Sequence, residues 1–258
     1  MAANEPGQPP LTSTARIADW SEDIDPPPSA LAIGAHPDDV EFGCGGTLAK
    51  WAGSGCVVHH LVLTDGSKGT WDVGADLPAL VATRQAEQRA AAAALGGRGE
   101  VVFLGQIDGE LEQTRSLTGE VARWIRVLRP TVVLGHDPWK RYRLHPDHRA
   151  AGFITCDAIV AARDPHFFTE QRIPHHRPGT LLLWEADEPD HAEILDETAI
   201  AAKLAALEAH ASQFESTMKA VDRDQLELFR RRVSDRLAEN GANLGRPAAE
   251  IFKRITDL

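Results

Sequence analysis

The sequence predicts an α/β protein of Rossmann-like type: a mostly parallel sheet flanked by helices on both faces, with a helical C-terminal region. Short runs rich in Val, Leu and Ile recur without the polar alternation of half-buried strands. Stretches of helical pattern separate these runs. Two of the runs end in dense polar clusters, and in open sheets of this kind ligands bind beyond the carboxyl ends of the strands.

Strands are predicted over residues 30–35, 57–64, 101–104, 131–135 and 180–184. Helices follow the first four, over 47–53, 77–95, 117–128 and 148–162. The second of these is alanine-rich, and Gly96 just past its end is a helix stop. Four strand–helix alternations with right-handed crossovers make the strands parallel neighbours. Beyond Trp184 the pattern is helical over 197–213 and 222–239, expected to pack on the sheet or extend one edge. Residues 1–28, rich in proline and acid and without periodicity, read as a flexible arm that Trp20 pins to the body. Residues 29–258 then form one domain, with the C-terminal helices from about 197 packed on it.

A chain of 258 residues can bury a full core. With 27 Lys+Arg against 38 Asp+Glu, a net charge of −11 argues against a general nucleic-acid or anionic-membrane binder. Cys44, Cys56 and Cys156 are too few and scattered for a disulfide framework or a thiolate metal site. No apolar run reaches the ~18–20 residues of a membrane helix. The N-terminus also lacks the basic and apolar regions of a secretory signal. A soluble, cytoplasmic protein is expected.

The first strand runs into GAHPDDVEFGCGG, residues 34–46. His36 and Asp39 are spaced so that a turn points both at one centre, with Asp38 beside it. The bland alternative is a surface turn whose aspartate caps the next helix. The fourth strand ends in a second cluster, from His136-Asp137-Pro138 to His145-Pro146-Asp147-His148, which then enters a helix. A helix N-terminus favours anions and lowers the pKa of a nearby histidine. Imidazole and carboxylate donors suit zinc, and three protein ligands with an open position are the catalytic arrangement.

With AHPDD near the start and HPDH about a hundred residues on, the chain resembles the LmbE-like (PIG-L) zinc-dependent de-N-acetylases. Leu63-Thr64-Asp65-Gly66, Arg84-x-x-Glu87 and Lys203…Leu207…His210-x-Ser212-Gln213 agree, so the resemblance covers about residues 30–215. It implies one Zn2+ per chain held by His36, Asp39 and His148. Asp38 would be the general base on the zinc-bound water. His145 would polarise the developing oxyanion or protonate the leaving amine, and Asp147 would orient a histidine. The implied reaction removes an N-acetyl group from a small-molecule amino sugar or its conjugate, with homo-oligomerisation left open. A bell-shaped pH profile follows, with Asp38 ionised on the acid limb and His145 protonated on the basic limb.

Arg84 lines the pocket in relatives; its alternative here is a surface pair with Glu87. Arg141 and Tyr142, with Trp71 and Trp139, lie on loops at the predicted crevice mouth, where aromatic faces suit sugar rings. His59-His60 and His175-His176 read as structural or solvated, and Cys44 as a small buried residue. His210 either packs against the site or stabilises the C-terminal helix. Among rivals, a dinucleotide-binding oxidoreductase would use Gly43-Cys44-Gly45-Gly46, but Leu48 stands where its third glycine belongs. A non-haem iron oxygenase is opposed by the strand–helix alternation. A catalytically dead sugar-binding module is opposed by the full set of catalytic positions. An amidase cleaving a larger amide conjugate would use the same zinc site.

Overall fold

The structure is a computed structural model describing residues 20–258. The strands are β1 (Ser21–Glu22), β2 (Ser29–Gly34), β3 (Val57–Thr64), β4 (Val101–Gln106), β5 (Val132–His136), β6 (Thr180–Trp184), β7 (His191–Ile194) and β8 (Ala249–Thr256). They form one sheet in the order β1-β7-β8-β6-β5-β2-β3-β4. All pairings are parallel except those of β8, which runs antiparallel to both β6 and β7. The helices are α1 (Asp39–Gly53), α2 (Leu77–Ala94), α3 (Arg115–Leu128), α4 (Pro146–Arg163), α5 (Glu197–Glu208) and α6 (Arg223–Ala242). Among the described residues no helix is long and apolar enough to cross a membrane.

Alternate residues of the central strands feed two cores. Leu31, Ile33, Leu61 and Val133 pack with Val121 and Ile125 of α3 and Ile154 of α4. Ala30, Ala32 and Leu134 face the other way, where the small alanines leave room for Trp51 of α1 and Trp184 of β6. Each fully buried Leu or Ile contributes about 1.5–3 kcal/mol. Side-chain caps start four of the helices: Asp76, Thr114, Asp196 and Asp222 accept from Ala79, Leu117, Ala199 and Gln225 N–H.

From β2 the chain builds β3 and β4 on one side, then returns to lay β5 on the other. The strand order therefore reverses between β2 and β5, which pair directly from Ala30↔Val132 to Ile33↔Gly135. A reversal of this kind opens a crevice at the carboxyl edge. Both polar clusters emerge there.

Three features differ from the sequence expectation. The stretch after Trp184 carries the expected helices but also two strands that were not expected, β7 and β8, of which β8 inserts between β6 and β7. The expected arm ends earlier than residue 28. Ser21–Glu22 pairs with β7, and the Ser21 hydroxyl meets His191 Nδ1 at 2.8 Å, while residues 1–19 lie outside the described residues. His191 in turn meets Glu193 at 3.0 Å, and Lys50 bridges Glu193 to Asp23.

The third difference is α1, which begins at Asp39 and breaks at Cys44 (φ −149°, ψ 18°), so the expected 47–53 helix is its second limb. A buried ion pair holds the break. Lys203 Nζ donates to the Glu41 and Phe42 carbonyls (2.9 and 2.8 Å) and to Glu250 Oε1 (2.6 Å). Glu250 accepts the Gly46 and Thr47 amides at 3.0 and 2.7 Å, capping the second limb. The glycines here serve packing: a Cβ on Gly43 would lie 2.5 Å from the Trp184 ring. They do not form a phosphate-binding turn, so the dinucleotide reading has no structural support.

Glu250→Ala strands the Lys203 ammonium and two helix amides in a buried setting. The expected cost is about 3–5 kcal/mol, read as a lower urea midpoint at unchanged slope. A loss below about 1 kcal/mol would show that the pair does not hold the kink.

Candidate metal centre and active site

His36 leaves β2 at the carboxyl edge, and Asp38 follows at the helix N-cap position with φ 106°. That left-handed backbone is strained for a residue with a side chain. Gln88 Oε1 holds it by accepting the Asp38 amide at 3.0 Å. The Asp38 side chain makes no capping bond, so the bland reading of this aspartate fails. Its carboxylate instead meets Arg84 Nη2 at 3.3 Å. Burial pushes the Asp38 carboxyl up; Arg84 pulls it back and Asp39 adds to the rise, leaving it at about 6.

Asp39 Oδ2 accepts the His36 amide at 2.7 Å and stands 3.1 Å from His136 Nε2. Despite burial, His148 and His136 hold the Asp39 carboxyl well below its ordinary value. His148, near the start of α4, brings Nε2 to 3.3 Å from Asp39 Oδ1 and 3.3 Å from His36 Nδ1. His36 Nδ1 is itself 3.4 Å from Asp39 Oδ2. The edge of a tetrahedron with bonds of ~2.0–2.1 Å is about 3.3–3.4 Å. His36, Asp39 and His148 are thus spaced as a ligand set.

The far nitrogen of His36 explains why the set points this way. His36 Nε2 is shared between Asp147 Oδ2 at 3.1 Å and Asp108 Oδ1 at 3.2 Å. Those carboxylates hold the proton on Nε2 and leave Nδ1 facing the centre. Burial disfavours a charged His36, but Asp108, Asp147 and Asp39 overcome it and raise its pKa to about 12. Three carboxylates around one imidazole are a surplus of negative charge that a cation balances, so the residues present fit a bound metal. Three overlapping groups of donors lie close enough to hold an ion: His36, His145 and His148; Asp39, His136 and His148; and, on the Nε2 side of His36, His36, Asp108 and Asp147.

His145 lies at the exposed rim, stacked on His148 with ring centres 4.6 Å apart. Desolvation, then the neighbouring His36 and His148, lower its pKa. This environment works against the imidazolium of the sequence reading. Asp147, fully buried, accepts from His36 and from the Gly109 and Leu111 amides (2.6 and 3.2 Å). The histidine it orients is His36.

Arg84 is buried and borders the cavity, with its guanidinium committed to Gly66 and Pro37 carbonyls (2.8 and 2.6 Å) and Asp38. Gly66 (φ +67°) is needed there, since a Cβ would sit 2.7 Å from Arg84 Nη1. The surface pair with Glu87 is not made; Glu87 binds the Ser212 amide and hydroxyl instead. Arg141 and Tyr142 do not line the cavity: the Arg141 amide bonds Asp187, and Tyr142 is 85% exposed.

Sequence reasoning assigned no role to Asp108, His136 or Glu41. His136, the last residue of β5, accepts from Trp184 Nε1 on Nδ1 at 3.0 Å, which leaves Nε2–H to donate to Asp39. Glu41 accepts from Gln88 Nε2 at 2.7 Å and His210 Nε2 at 3.2 Å, so His210 supports the site from behind. His60 also faces Glu41, 3.5 Å away, and His59 accepts the Glu100 amide, both structural as expected. Cys44 is buried, and burial pushes its thiol up, as suits a packing residue. The cavity above these groups encloses about 520 Å³.

Fold and site define an α/β enzyme that works with a metal at the carboxyl edge of its sheet. The GlcNAc-PI de-N-acetylase (PIG-L) family matches residues 31–159. Diacetylchitobiose deacetylase of Thermococcus kodakarensis is 37% identical over 188 residues, covering 71% of this chain and 69% of that protein. A 1D-myo-inositol 2-acetamido-2-deoxy-alpha-D-glucopyranoside deacetylase of Rhodococcus jostii is 33% identical over 157 residues, 51% of this chain and 53% of that one. The solved N,N'-diacetylchitobiose deacetylase from Pyrococcus horikoshii superposes with a TM-score of 0.79 at 27% identity, covering 89% of this chain and 84% of that one. The chain belongs to the PIG-L family, and it is a deacetylase by its relatives.

Asp147→Asn removes the charge that fixes the His36 tautomer. Metal affinity is expected to fall about 10–100-fold, measured by chelator competition on the purified protein. Unchanged affinity would mean Asp108 alone orients the ring.

Proposed function

We propose that the chain hydrolyses the N-acetyl group of an amino sugar or amino-sugar conjugate, with zinc as its metal. The observation that carries this is the ligand-spaced set of His36, Asp39 and His148 with the uncapped Asp38 carboxylate beside it. The N/O donor set suits zinc, which when bound supplies a Lewis acid for the amide carbonyl and lowers the pKa of a water. Asp38 takes the proton of the attacking water, and Arg84 and Gln88 keep its carboxylate aimed at the cavity. The substrate proposed is an N-acetyl sugar of the kind named for the relatives, placed with its acetamido carbon nearest Asp38.

His145 supplies the remaining proton contact. On the rim it donates its ring N–H to the oxygen of the tetrahedral intermediate, while the proton that Asp38 takes from the water is the one returned to the departing amine. Asp147 and His136 act through their neighbours: the first holds His36, the second holds Asp39. The products are acetate and a free amine, so acetate release from N-acetylated amino sugars, beginning with diacetylchitobiose, tests the assignment. Absence of acetate release across such sugars with the zinc-loaded protein would overturn it.

Asp38→Asn is expected to retain metal and lose about 10²–10⁴-fold in turnover, whereas Asp39→Asn loses metal. Metal content and turnover of both purified variants separate base from ligand; the opposite pattern reverses the two roles. His145→Ala should keep metal and cut turnover by about 10²-fold. A variant with wild-type turnover would remove His145 from the reaction.

The acid limb tests Asp38 separately. The ionised carboxylate is the working form, and burial raises its pKa. Activity is therefore expected to fall as pH drops through about 6, above the ordinary carboxylate range. A limb at ordinary carboxylate pH would contradict the buried setting of Asp38.

A further inference from the structure

In the loop between β5 and α4, Arg141, Tyr142 and Leu144 are exposed, while Arg143 among them is buried. Tyr142 takes the left-handed conformation (φ 62°) that reverses the chain there, and the Arg143 amide closes the turn on the Lys140 carbonyl at 3.4 Å. The guanidinium thereby enters the space behind the proposed metal ligands. Its Nη1 donates towards His148 Nδ1 at 3.3 Å and His136 Nδ1 at 3.2 Å, and pairs with Glu185 Oε2 at 2.8 Å.

Stability alone does not account for this placement. A buried cation is costly unless it is paired and fully hydrogen-bonded. Glu185 is its ionic partner, but that carboxylate stands half-exposed at the end of β6. Arg143 Nε and Nη2 are buried without a hydrogen-bond partner among the described residues. Unsatisfied buried donors of this kind call for a functional account.

The two histidine ligands are backed in opposite ways. His36 turns its far nitrogen, Nε2, to Asp108 and Asp147. That is the ordinary backing, in which the far N–H donates to a carboxylate and the ring becomes a better ligand. His148 turns its far nitrogen, Nδ1, to a guanidinium, which carries a positive charge and can only donate. Neither that hydrogen bond nor that charge strengthens His148 Nε2 as a donor to a cation. The carboxylate that could back His148 in the ordinary way, Glu185, is held by the same guanidinium.

We propose that Arg143 is a positioning residue that loosens the metal centre by acting on His148, with Glu185 moderating it by drawing its charge away. This rests on the reading of His36, Asp39 and His148 as the ligand set and deepens it. The Asp147 side of the centre tightens the hold on zinc, and the Arg143 side keeps the zinc exchangeable.

The test measures the zinc dissociation constant by chelator competition, and the rate of zinc release to excess chelator, for the wild type, Arg143→Met, Arg143→Lys and Glu185→Gln. Arg143→Met is expected to bind zinc about tenfold more tightly and to release it more slowly. Arg143→Lys, which keeps the charge, should stay near the wild-type value. Glu185→Gln, which leaves the guanidinium uncompensated, should bind zinc more weakly. A role confined to packing predicts unchanged or weaker binding in Arg143→Met, and that result overturns the proposal. Should Arg143→Met fail to fold, an unchanged constant in Glu185→Gln, on a separate strand end, overturns it equally. Wild-type protein that takes up no zinc would strike the ligand-set reading itself; zinc uptake without tightening in Arg143→Met strikes only this inference.

Discussion

The active site depends on one buried carboxylate, Asp147. It accepts the His36 ring from β2 and the Gly109 and Leu111 amides from the segment after β4, while itself belonging to the first turn of α4. Three separate strand-end segments are thereby tied at one point. A hydrogen bond to a charged group contributes about 1.5–3 kcal/mol, and here it also sets which nitrogen of His36 faces the cavity. Every other donor of the centre is measured against that ring. His148 rides on the same helix as Asp147, and Asp39 reads the same turn through the His36 amide.

A second layer of charge keeps the site at working geometry without touching the reacting atoms. Gln88 bridges the Asp38 amide and the Glu41 carboxylate, and His210 closes the other side of Glu41. Burial opposes protonation of His210, but Glu41 outweighs it and raises the pKa. The layers divide the labour by charge balance. Carboxylates around His36 are in excess and welcome a cation, whereas Asp38 is balanced by Arg84 and keeps a proton affinity suited to a base.

The parallel strands were legible because burial on both faces forces continuous apolar runs. The metal-site residues were legible because His-Pro-Asp segments stood at two strand ends. β8 was not, for a physical reason. Its run Ala249–Thr256 carries Glu250, Lys253 and Arg254, which break the apolar pattern, yet Glu250 is buried because Lys203 and two helix amides satisfy it. Asp108 was equally silent, being a lone acid in a turn after β4 whose partner lies far away in sequence. His136 did carry a signal, as a polar final residue of a strand at the carboxyl edge. Arg141 and Tyr142 show the opposite error, since a loop near the crevice does not turn each of its side chains inward.

The place of β8 also bears on when the protein can become active during its own synthesis. β8, the last in sequence of the described strands, sits between β6 and β7, so β7 and the β1 strand beside it have no strand pairing to the rest of the sheet until residues 249–256 arrive. The same strand delivers Glu250 to the broken helix that begins with Asp39. A nascent chain lacking those residues can assemble β2 to β6 but cannot lock that helix. On the ribosome, assembly of the parallel core and completion of the catalytic geometry are therefore separate events, with the second waiting for residues 249–256.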